Sequence, residues 1–185
     1  MDIPGLTYIE NFVSVDEEHD LVSQIDNATW LADLKRRVQH YGYKYDYKKR
    51  QIDASMKIDD IPVWAVRIAD RVYEAGYIPY QPDQLIINEY LPGQGIASHI
   101  DCEPCFEDTI ISLSLGSHCV MTFTEKESNH SEDKIIHSKS LLVMQQQARY
   151  KWMHGIKAKK SDMVEGVKKI RQRRISLTFR KVILS

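Results

Sequence analysis

The segment Arg174–Arg180, RISLTFR, alternates strictly between polar and apolar side chains. Because successive side chains of a β-strand point to opposite faces, its two arginines would share one face and its three apolar residues the other. The apolar face predicts packing on helices, and the polar face predicts an interior cavity. Two arginines that face an interior require anions, because an unpaired buried charge is costly. Their Cα atoms would be about 20 Å apart by strand rise, so at least one arginine is available for a ligand.

The chain that leads to this segment predicts helices first and strands later. Residues 14–17, SVDE, form a capping-box pattern, and Leu21, Val22 and Ile25 follow at helical spacing. A second predicted helix starts after Asp60, takes Pro62 into its first turn and ends near Gly76. Two helices followed by seven strands indicate an α+β fold, in which helices back a β-sandwich or open barrel. The seven predicted strands are residues 84–90, 98–101, 109–115, 119–124, 140–145, 151–156 and 174–182, and a charged loop is expected over residues 125–139.

Composition limits the class of protein. The 185 residues are 43% hydrophobic and 28% charged, which is typical of one globular domain. No apolar run approaches the roughly 20 residues that span a bilayer, and the start of the chain lacks a secretory pattern. Three cysteines cannot all pair, which favours an intracellular, reducing compartment, cytoplasmic or also nuclear in a eukaryote. Basic residues cluster, with seven basic against one acidic in 35–50 and ten against two in 157–181, so a polyanion would meet one face.

Residues 87–101, INEYLPGQGIASHID, place an imidazole and a carboxylate two positions apart, at His99 and Asp101. A half-exposed strand with polar residues on its wet side would give the same pattern, so the motif alone is weak. The sharper hypothesis is two ligands of the facial triad of non-haem Fe(II) oxygenases, which needs one more histidine. Spacing leaves His118, His130, His137 and His154 open as that ligand. His154 is favoured because it lies in a predicted aromatic strand, YKWMHGI, while His130 and His137 fall in the charged loop.

Four linked segments resemble the AlkB family of Fe(II)- and 2-oxoglutarate-dependent dioxygenases. They are NEYLPGQGIASHID (88–101), FEDTIISLSLGS (106–117), RYKWMHGI (149–156) and RRISLTFRKV (173–182). They occur in the family's order, and four motifs together are more specific than any one. Upstream, RVQHYGYKYDY and YIPYQPDQLIINEY resemble the branch of the family that modifies tRNA.

The resemblance implies one domain over residues 1–185. Residues 1–80 would supply helices and a nucleotide-recognition lid, and residues 81–185 a double-stranded β-helix (jelly-roll) core. It implies Fe(II), 2-oxoglutarate and molecular oxygen as reactants. It assigns His99, Asp101 and His154 as iron ligands, Asn88 and Tyr90 as contacts of 2-oxoglutarate, Arg174 as partner of its distal carboxylate, Ser176 as a further cofactor-binding position, and Arg180 as neighbour of the carboxylate at the metal. A guanidinium can grip a carboxylate through two hydrogen bonds, as lysine cannot.

The resemblance points to two different classes of substrate. Ser176 stands where members that repair DNA commonly carry asparagine, a longer side chain. Glu103 matches an acidic residue that contacts the flipped base in repair-type members, and it would share a face with His99 and Asp101 if the chain stays extended. The leading hypothesis is oxidative dealkylation of alkylated nucleic acid by a monomeric enzyme without a membrane partner. The alternatives are hydroxylation of a modified tRNA wobble uridine and a non-catalytic nucleic-acid-binding jelly roll.

The segment KRRVQHYGYKYDYKKR (35–50) is the expected nucleic-acid contact, with Arg37, Tyr41 and Tyr43 as candidate residues. Cations would meet phosphates, and tyrosines could stack on an unpaired base. Alternating packing positions are the competing interpretation of Tyr41, Tyr43, Tyr45 and Tyr47, which would share one strand face.

The motif CEPC (102–105) follows the expected ligand Asp101 directly. It lacks a second cysteine pair, so a zinc site is disfavoured. The prediction is ordinary thiols, open to oxidation beside an oxygen-activating iron.

Overall fold

A computed structural model describes residues 2–32, 35–44 and 50–184. Within them lie three α-helices and a short 3-10 turn at Ala54–Met56. The helices are α1 (Val15–Asp26), α2 (Val63–Glu74) and α3 (Gln146–Tyr150). The strands are β1 (Leu6–Ile9), β2 (Val38–Tyr41), β3 (Gln84–Tyr90), β4 (Ile96–His99), β5 (Ile110–Gly116), β6 (Cys119–Glu125), β7 (Ser131–Ile136), β8 (Leu141–Met144), β9 (Trp152–Ile156), β10 (Ser161–Val164), β11 (Val167–Ile170) and β12 (Arg174–Arg180).

Two antiparallel sheets form the body of the protein. The large sheet has six strands in the order β1-β8-β5-β12-β3-β2, and the small sheet has four in the order β4-β9-β6-β7. Strands β10 and β11 form a separate hairpin. The predicted α+β jelly roll is therefore confirmed. Strands β1 and β2 lie within residues 1–80, the part of the chain expected to supply helices and a lid, and they extend the large sheet.

The alternation in β12 separates two environments. Ile175, Leu177 and Phe179 are buried in one apolar cluster with Ile25 of α1 and Ile68 of α2. The prediction that this face packs on helices is confirmed. The opposite face of the large sheet meets a second cluster that includes residues of the small sheet. Its largest members are Phe106, Phe123, Trp152 and Tyr90.

Helix α1 begins where the sequence predicts, whereas α2 begins at Val63, just after Pro62 and not with Pro62 in its first turn. The Ser14 hydroxyl accepts a hydrogen bond from the backbone N–H of Glu17 at 3.1 Å, and the Glu17 carboxylate accepts one from the backbone N–H of Ser14 at 2.7 Å. This capping box satisfies two N–H groups that the helix leaves unpaired. Pro62 precedes the first residue of α2, Val63, where its missing N–H costs nothing.

The strands that the sequence missed lie mainly at sheet edges. The predicted loop over residues 125–139 contains β7, the edge of the small sheet, and β1 and β2 are the two edges of the large sheet. The hairpin strands β10 and β11 were also missed, and β4, another edge, begins two residues earlier than predicted. An edge strand pairs on one side only and is often exposed, so its hydrophobic alternation is weak.

No helix in the described part of the chain combines the length and the apolarity that crossing a bilayer requires.

Candidate metal and co-substrate site

A cavity of about 840 Å³ lies between the two sheets. The polar face of β12 lines it with all four of its side chains, as the alternation predicts. The large sheet contributes Ile86, Asn88, Tyr90, Ser112, Arg174, Ser176, Thr178 and Arg180, and the small sheet contributes Ile96, Ala97, His99, Met121, His154 and Ile156. Asp101 and Cys102 follow β4 and complete this wall.

His99, Asp101 and His154 converge at this wall. His99 ends β4 and lies directly opposite His154 on β9, with ring centroids 4.5 Å apart. Asp101 follows two residues later, and ligand atoms of the three side chains lie within 4.8 Å of one another. Among the described residues no other three histidines, cysteines or carboxylates form such a group. Two imidazoles and one carboxylate on one side of an ion are the donor set of a facial triad.

The other candidate histidines lie elsewhere. His118 is 3.6 Å from the carboxylate of Asp162, and His130 is 3.3 Å from that of Glu132. Neither these two nor His137 lines the cavity. The alternatives for the third position are therefore reduced to His154.

The carboxylate of Asp101 is oriented and ionised, as a cation ligand must be. Its Oδ1 accepts a hydrogen bond from Arg180 Nη2 at 2.6 Å, while its Oδ2 lies 3.9 Å from Nε2 of His154. Burial alone would raise the pKa of Asp101, but the positive charges of Arg180 and then of the two histidines lower it to about 2. The group is thus ionised at neutral pH, and one oxygen faces the imidazoles.

Each histidine offers a ring nitrogen to this site. Burial lowers the pKa of His154 to about 4, against the opposing pull of Asp101, so its imidazole is neutral at physiological pH. The Nδ1 of His99 lies 2.8 Å from the carbonyl oxygen of Ala97, which favours the tautomer with its proton on Nδ1. The Nε2 lone pair of His99 is then free for a metal.

Arg174 is a buried cation with no carboxylate partner among the described residues. It is 2% exposed, and its Nη2 donates to the Ser114 hydroxyl at 2.7 Å. Its Nε and Nη1 have no hydrogen-bond partner among the described residues, and no described carboxylate pairs with it. A buried guanidinium in this state requires an anionic ligand. A carboxylate of 2-oxoglutarate fits this requirement, since Arg174 lines the same cavity as the three candidate metal ligands.

Asn88, Tyr90 and Ser176 line the cavity beside Arg174. The Tyr90 ring lies against Arg174, 5.3 Å from the guanidinium carbon to the ring centroid. The Ser176 hydroxyl is 3.1 Å from that of Ser112 on the neighbouring strand. The role of each in binding the co-substrate stays a prediction.

The four predicted substrate contacts do not line the cavity in this structure. Glu103 is exposed in a turn that starts after Asp101, so the chain does not stay extended and the expected shared face does not form. Arg37 is paired with Glu89 at 2.7 Å and lies over the Trp30 ring. Contact of these residues with substrate is therefore still a prediction.

Tyr41 and Tyr43 pack on different apolar clusters. Tyr41 packs on the cluster that includes residues of α1 and α2, and Tyr43 packs on the second cluster, which includes residues of the small sheet. The expectation of one shared strand face is wrong for this pair. Strand β2 ends at Tyr41, and Gly42 adopts a φ of +78°, which breaks the alternation. Tyr45 and Tyr47 lie outside the described residues.

Sequence reasoning missed several cations near the site. Lys35, Arg36 and Arg50 line the cavity. The sequence marked the pair at positions 36 and 37 as basic but could not tell which side chain faces inward. The Nε of Arg36 donates to Asn88 Oδ1 at 2.8 Å, and its guanidinium carbon lies 5.4 Å from the Tyr90 ring centroid.

Arg149 supports the loop behind the candidate metal ligand. It is 3% exposed and donates to the carbonyl oxygens of Asp101 at 2.9 Å and Cys102 at 3.2 Å. Arg149 lies in the short helix α3, where periodicity gave no signal of a role.

Cys102 and Cys105 form a disulfide, so the expectation of free thiols is wrong for this pair. The turn between them is closed by a hydrogen bond from the N–H of Cys105 to the carbonyl of Cys102, which brings the two sulfurs together. Cys119 is free and buried.

Comparisons with known proteins agree with this geometry. The model of the 2OG-Fe(II) oxygenase superfamily matches residues 5–180. The Arabidopsis thaliana "Alkylated DNA repair protein ALKBH8 homolog" is 37% identical over 98% of this chain and 59% of its own length. The Mus musculus "tRNA (carboxymethyluridine(34)-5-O)-methyltransferase ALKBH8" is 37% identical over 97% of this chain but 30% of its own. The chain thus spans less than two thirds of either relative.

In two further comparisons the match covers most of both chains. "Uncharacterized protein L905" of Acanthamoeba polyphaga mimivirus is 35% identical over 98% of this chain and 87% of its own. The solved structure of OsALKBH1 superposes with a TM-score of 0.76 at 18% identity, covering 98% of each chain, which shows a shared fold.

Proposed function

The chain belongs to the 2OG-Fe(II) oxygenase superfamily, and from that membership we propose that it oxidatively dealkylates an alkylated base in nucleic acid. It is a dioxygenase of the non-haem iron type, with Fe(II) and 2-oxoglutarate as cofactors. The observation that carries the proposal is a single cavity lined by a two-histidine, one-carboxylate cluster, an unpaired buried arginine and further cations.

The residues divide the work of the site. His99, Asp101 and His154 would hold the iron through two imidazole nitrogens and one carboxylate oxygen. When bound, the iron, 2-oxoglutarate and oxygen together supply the oxidising power, and succinate and carbon dioxide are released. Arg174 would bind the distal carboxylate, and Arg180 keeps Asp101 charged and oriented. Hydroxylation of an N-methyl carbon then yields formaldehyde and the bare base.

The cavity's other cations support a polyanionic substrate. Lys35, Arg36 and Arg50 line the same cavity as the candidate iron ligands. Phosphates on either side of a nucleotide would meet these charges if its base entered the cavity. The volume of about 840 Å³ leaves room for a base beside the co-substrate.

The test offers the enzyme three substrates side by side: methylated single-stranded DNA, methylated RNA and bulk tRNA. With Fe(II), 2-oxoglutarate and oxygen, we expect succinate and an equal amount of formaldehyde from one methylated substrate, and the unmethylated base by mass spectrometry. The His154→Ala variant, checked for native circular dichroism, should release neither product. If succinate is released but none of the three substrates yields formaldehyde, dealkylation is contradicted.

Hydroxylation of a modified tRNA uridine is the second candidate. The mouse relative, a methyltransferase of a tRNA uridine by its name, favours that class of substrate. The exposed position of Glu103 outside the cavity weakens the argument for dealkylation, which relied on this residue to contact the flipped base. The product of hydroxylation would be a tRNA nucleoside heavier by one oxygen, without formaldehyde. The third hypothesis, a non-catalytic nucleic-acid binder, is not supported, because the chain belongs to an oxygenase superfamily and retains the candidate metal ligands.

Location and assembly belong to the same proposal. An intracellular, cytoplasmic enzyme, nuclear as well in a eukaryote, would meet its nucleic acid there. A monomer is expected by size-exclusion chromatography with light scattering, and a stable dimer at micromolar protein would contradict it.

A further inference from the structure

We infer that Arg36 is a positioning residue for 2-oxoglutarate and that it acts through the amide of Asn88. The inference starts from a charged side chain that reaches across from one segment to another. Arg36 precedes β2, whereas Asn88 lies on β3, and the Nε of Arg36 donates to Asn88 Oδ1 at 2.8 Å. Both residues line the cavity that holds the candidate iron ligands.

A guanidinium can only donate hydrogen bonds, so this contact fixes the orientation of the Asn88 amide. The amide oxygen must face Arg36, and the amide nitrogen must face away from it. The hydrogen bond from Arg36 is the one that the described residues make to the Asn88 side chain, which leaves the amide nitrogen available at the cavity wall, and Asn88 is only 7% exposed. An N–H₂ group at a cavity wall suits a carboxylate, whereas the flipped amide would present an oxygen and repel one.

Arg36 also shares an aromatic platform with Arg174. The guanidinium carbons of the two arginines lie 5.4 Å and 5.3 Å from the centroid of the Tyr90 ring. Two cations beside one ring, with Asn88 next to it on the same strand, make a positive region that favours a dicarboxylate. The Nε contact with Asn88 is the one hydrogen bond that the Arg36 side chain makes to the described residues, and no described carboxylate pairs with it.

Backbone pairing makes the contact a link between segments. The N–H of Glu89 donates to the carbonyl oxygen of Arg37 at 3.0 Å, and Val38 is in register with Asn88. The segment 35–41 is therefore attached to the strand that carries Asn88 and Tyr90. If Arg36 fixes Asn88 for the co-substrate, bound 2-oxoglutarate in turn stabilises the order of this segment, because the coupling is reciprocal.

The neighbouring arginine provides a matched control. Arg37 carries the same charge one residue later, but its guanidinium is paired with Glu89 and lies over Trp30, away from the cavity. Arg36→Met and Arg37→Met remove the same side chain from the two positions. In Arg37→Met, Glu89 keeps its ion pair with Arg173. If the circular dichroism of Arg37→Met is not native, Arg37→Lys serves as the control instead.

The measurement is the dissociation constant of 2-oxoglutarate for protein loaded with Mn(II) without oxygen, by isothermal titration calorimetry. We expect Arg36→Met to weaken binding at least tenfold and Arg37→Met to change it less than threefold. In an Asn88→Ala background, Arg36→Met should add less than twofold, because both changes remove one contact. Unchanged affinity in Arg36→Met would overturn the inference. Additive losses would also overturn it, since Arg36 would then bind the ligand by itself.

Hydrogen exchange supplies a second readout that a purely structural role would not move. Addition of 2-oxoglutarate should slow exchange of the amides in residues 35–41 of the wild-type protein and leave them unchanged in Arg36→Met. Equal protection in both proteins would contradict the link. Neither experiment contains nucleic acid, so their outcome does not depend on whether the proposed base oxidation is correct.

Discussion

At the scale of single residues, Asp101 is oriented from two sides. Arg180 donates to its side-chain oxygen, and Arg149 donates to its backbone carbonyl. Partners of this kind behind a metal ligand hold its geometry, and their removal commonly costs metal affinity or activity. One buried arginine, Arg149, and one partly buried arginine, Arg180, thus orient this carboxylate for a cation.

Arg174→Lys tests the co-substrate site at the same scale. Lysine keeps the positive charge but loses the planar guanidinium and its several donors, so it cannot hold both Ser114 and a carboxylate in the same way. We expect 2-oxoglutarate to bind about 10- to 100-fold more weakly, on the order of one or two charge-assisted hydrogen bonds. The measurement is the KM for 2-oxoglutarate from initial rates of succinate release. An unchanged KM would refute the assigned role.

Residue identity was predictable at this site, but proximity was not. The sequence singles out His99 and Asp101 by their spacing, yet His154 is 55 positions further along and joins them only because β4 pairs with β9. Likewise, Arg36 and Arg37 are equivalent letters in the sequence. Which of them faces the cavity depends on how β2 docks on β3, and no local pattern contains that information.

At the scale of elements, the prediction succeeds for central strands and fails at edges. Strand β3 has its predicted bounds, and β12 begins as predicted with the predicted faces, because each is paired on both sides and covered. Strand β7, SEDKII, is half exposed at the edge of the small sheet, and its charges resemble those of a loop. The sequence thus predicts the strands that build the site better than those that enclose it.

A buried carboxylate joins elements that are distant in sequence. Glu89 of β3 is 2% exposed and accepts from Arg37 at 2.7 Å and from Arg173 at 2.6 Å. Arg173 also pairs with Asp26 at the end of α1. The hydrogen bond from Arg37 is the largest influence on the pKa of Glu89 and lowers it, against the opposing effect of burial and with help from Arg173.

Glu89→Gln tests this carboxylate. We expect the variant to lower the free energy of unfolding by about 2 kcal/mol at pH 7, because it leaves partly buried guanidinium donors without their anion. A carboxyl whose folded pKa is lowered stabilises the fold above its unfolded pKa of about 4.3, and this contribution is lost as pH falls through the folded value. Urea titrations from pH 7 down to pH 3 should therefore show the difference between variant and wild type shrinking in acid.

Glu127→Gln removes an exposed carboxylate that has no ion pair among the described residues and is the control. It should change stability by less than about 0.5 kcal/mol at every pH. A constant difference between Glu89→Gln and wild type across the titration would show that the carboxylate's charge is not the stabilising feature.

At the scale of the whole molecule, net charge conceals its distribution. The chain carries a formal charge of −1, yet cations concentrate at the cavity. A nearly neutral protein can therefore still present one positive region to a polyanion.

The double variant Lys35→Gln, Arg50→Gln tests that region. If both residues contact phosphates, a log–log plot of single-stranded nucleic-acid affinity against salt should become shallower by about 1.4. Fluorescence anisotropy from 50 to 300 mM salt measures this slope. Lys126→Gln, Lys151→Gln removes the same charge from exposed positions that do not line the cavity, and it should leave the slope near that of the wild type. Equal changes in the two variants would indicate a diffuse charge effect.

The central position of β12 has a consequence for how this chain tolerates change. Its seven residues present core side chains to the helices and ligand-facing side chains to the cavity, while both edges are hydrogen-bonded to neighbours. A single inserted or deleted residue would exchange the two faces at once, placing guanidiniums in hydrocarbon and isoleucine or leucine in the cavity. Variation in length should therefore be absent from this strand in functional descendants of the chain and be accommodated in its turns instead.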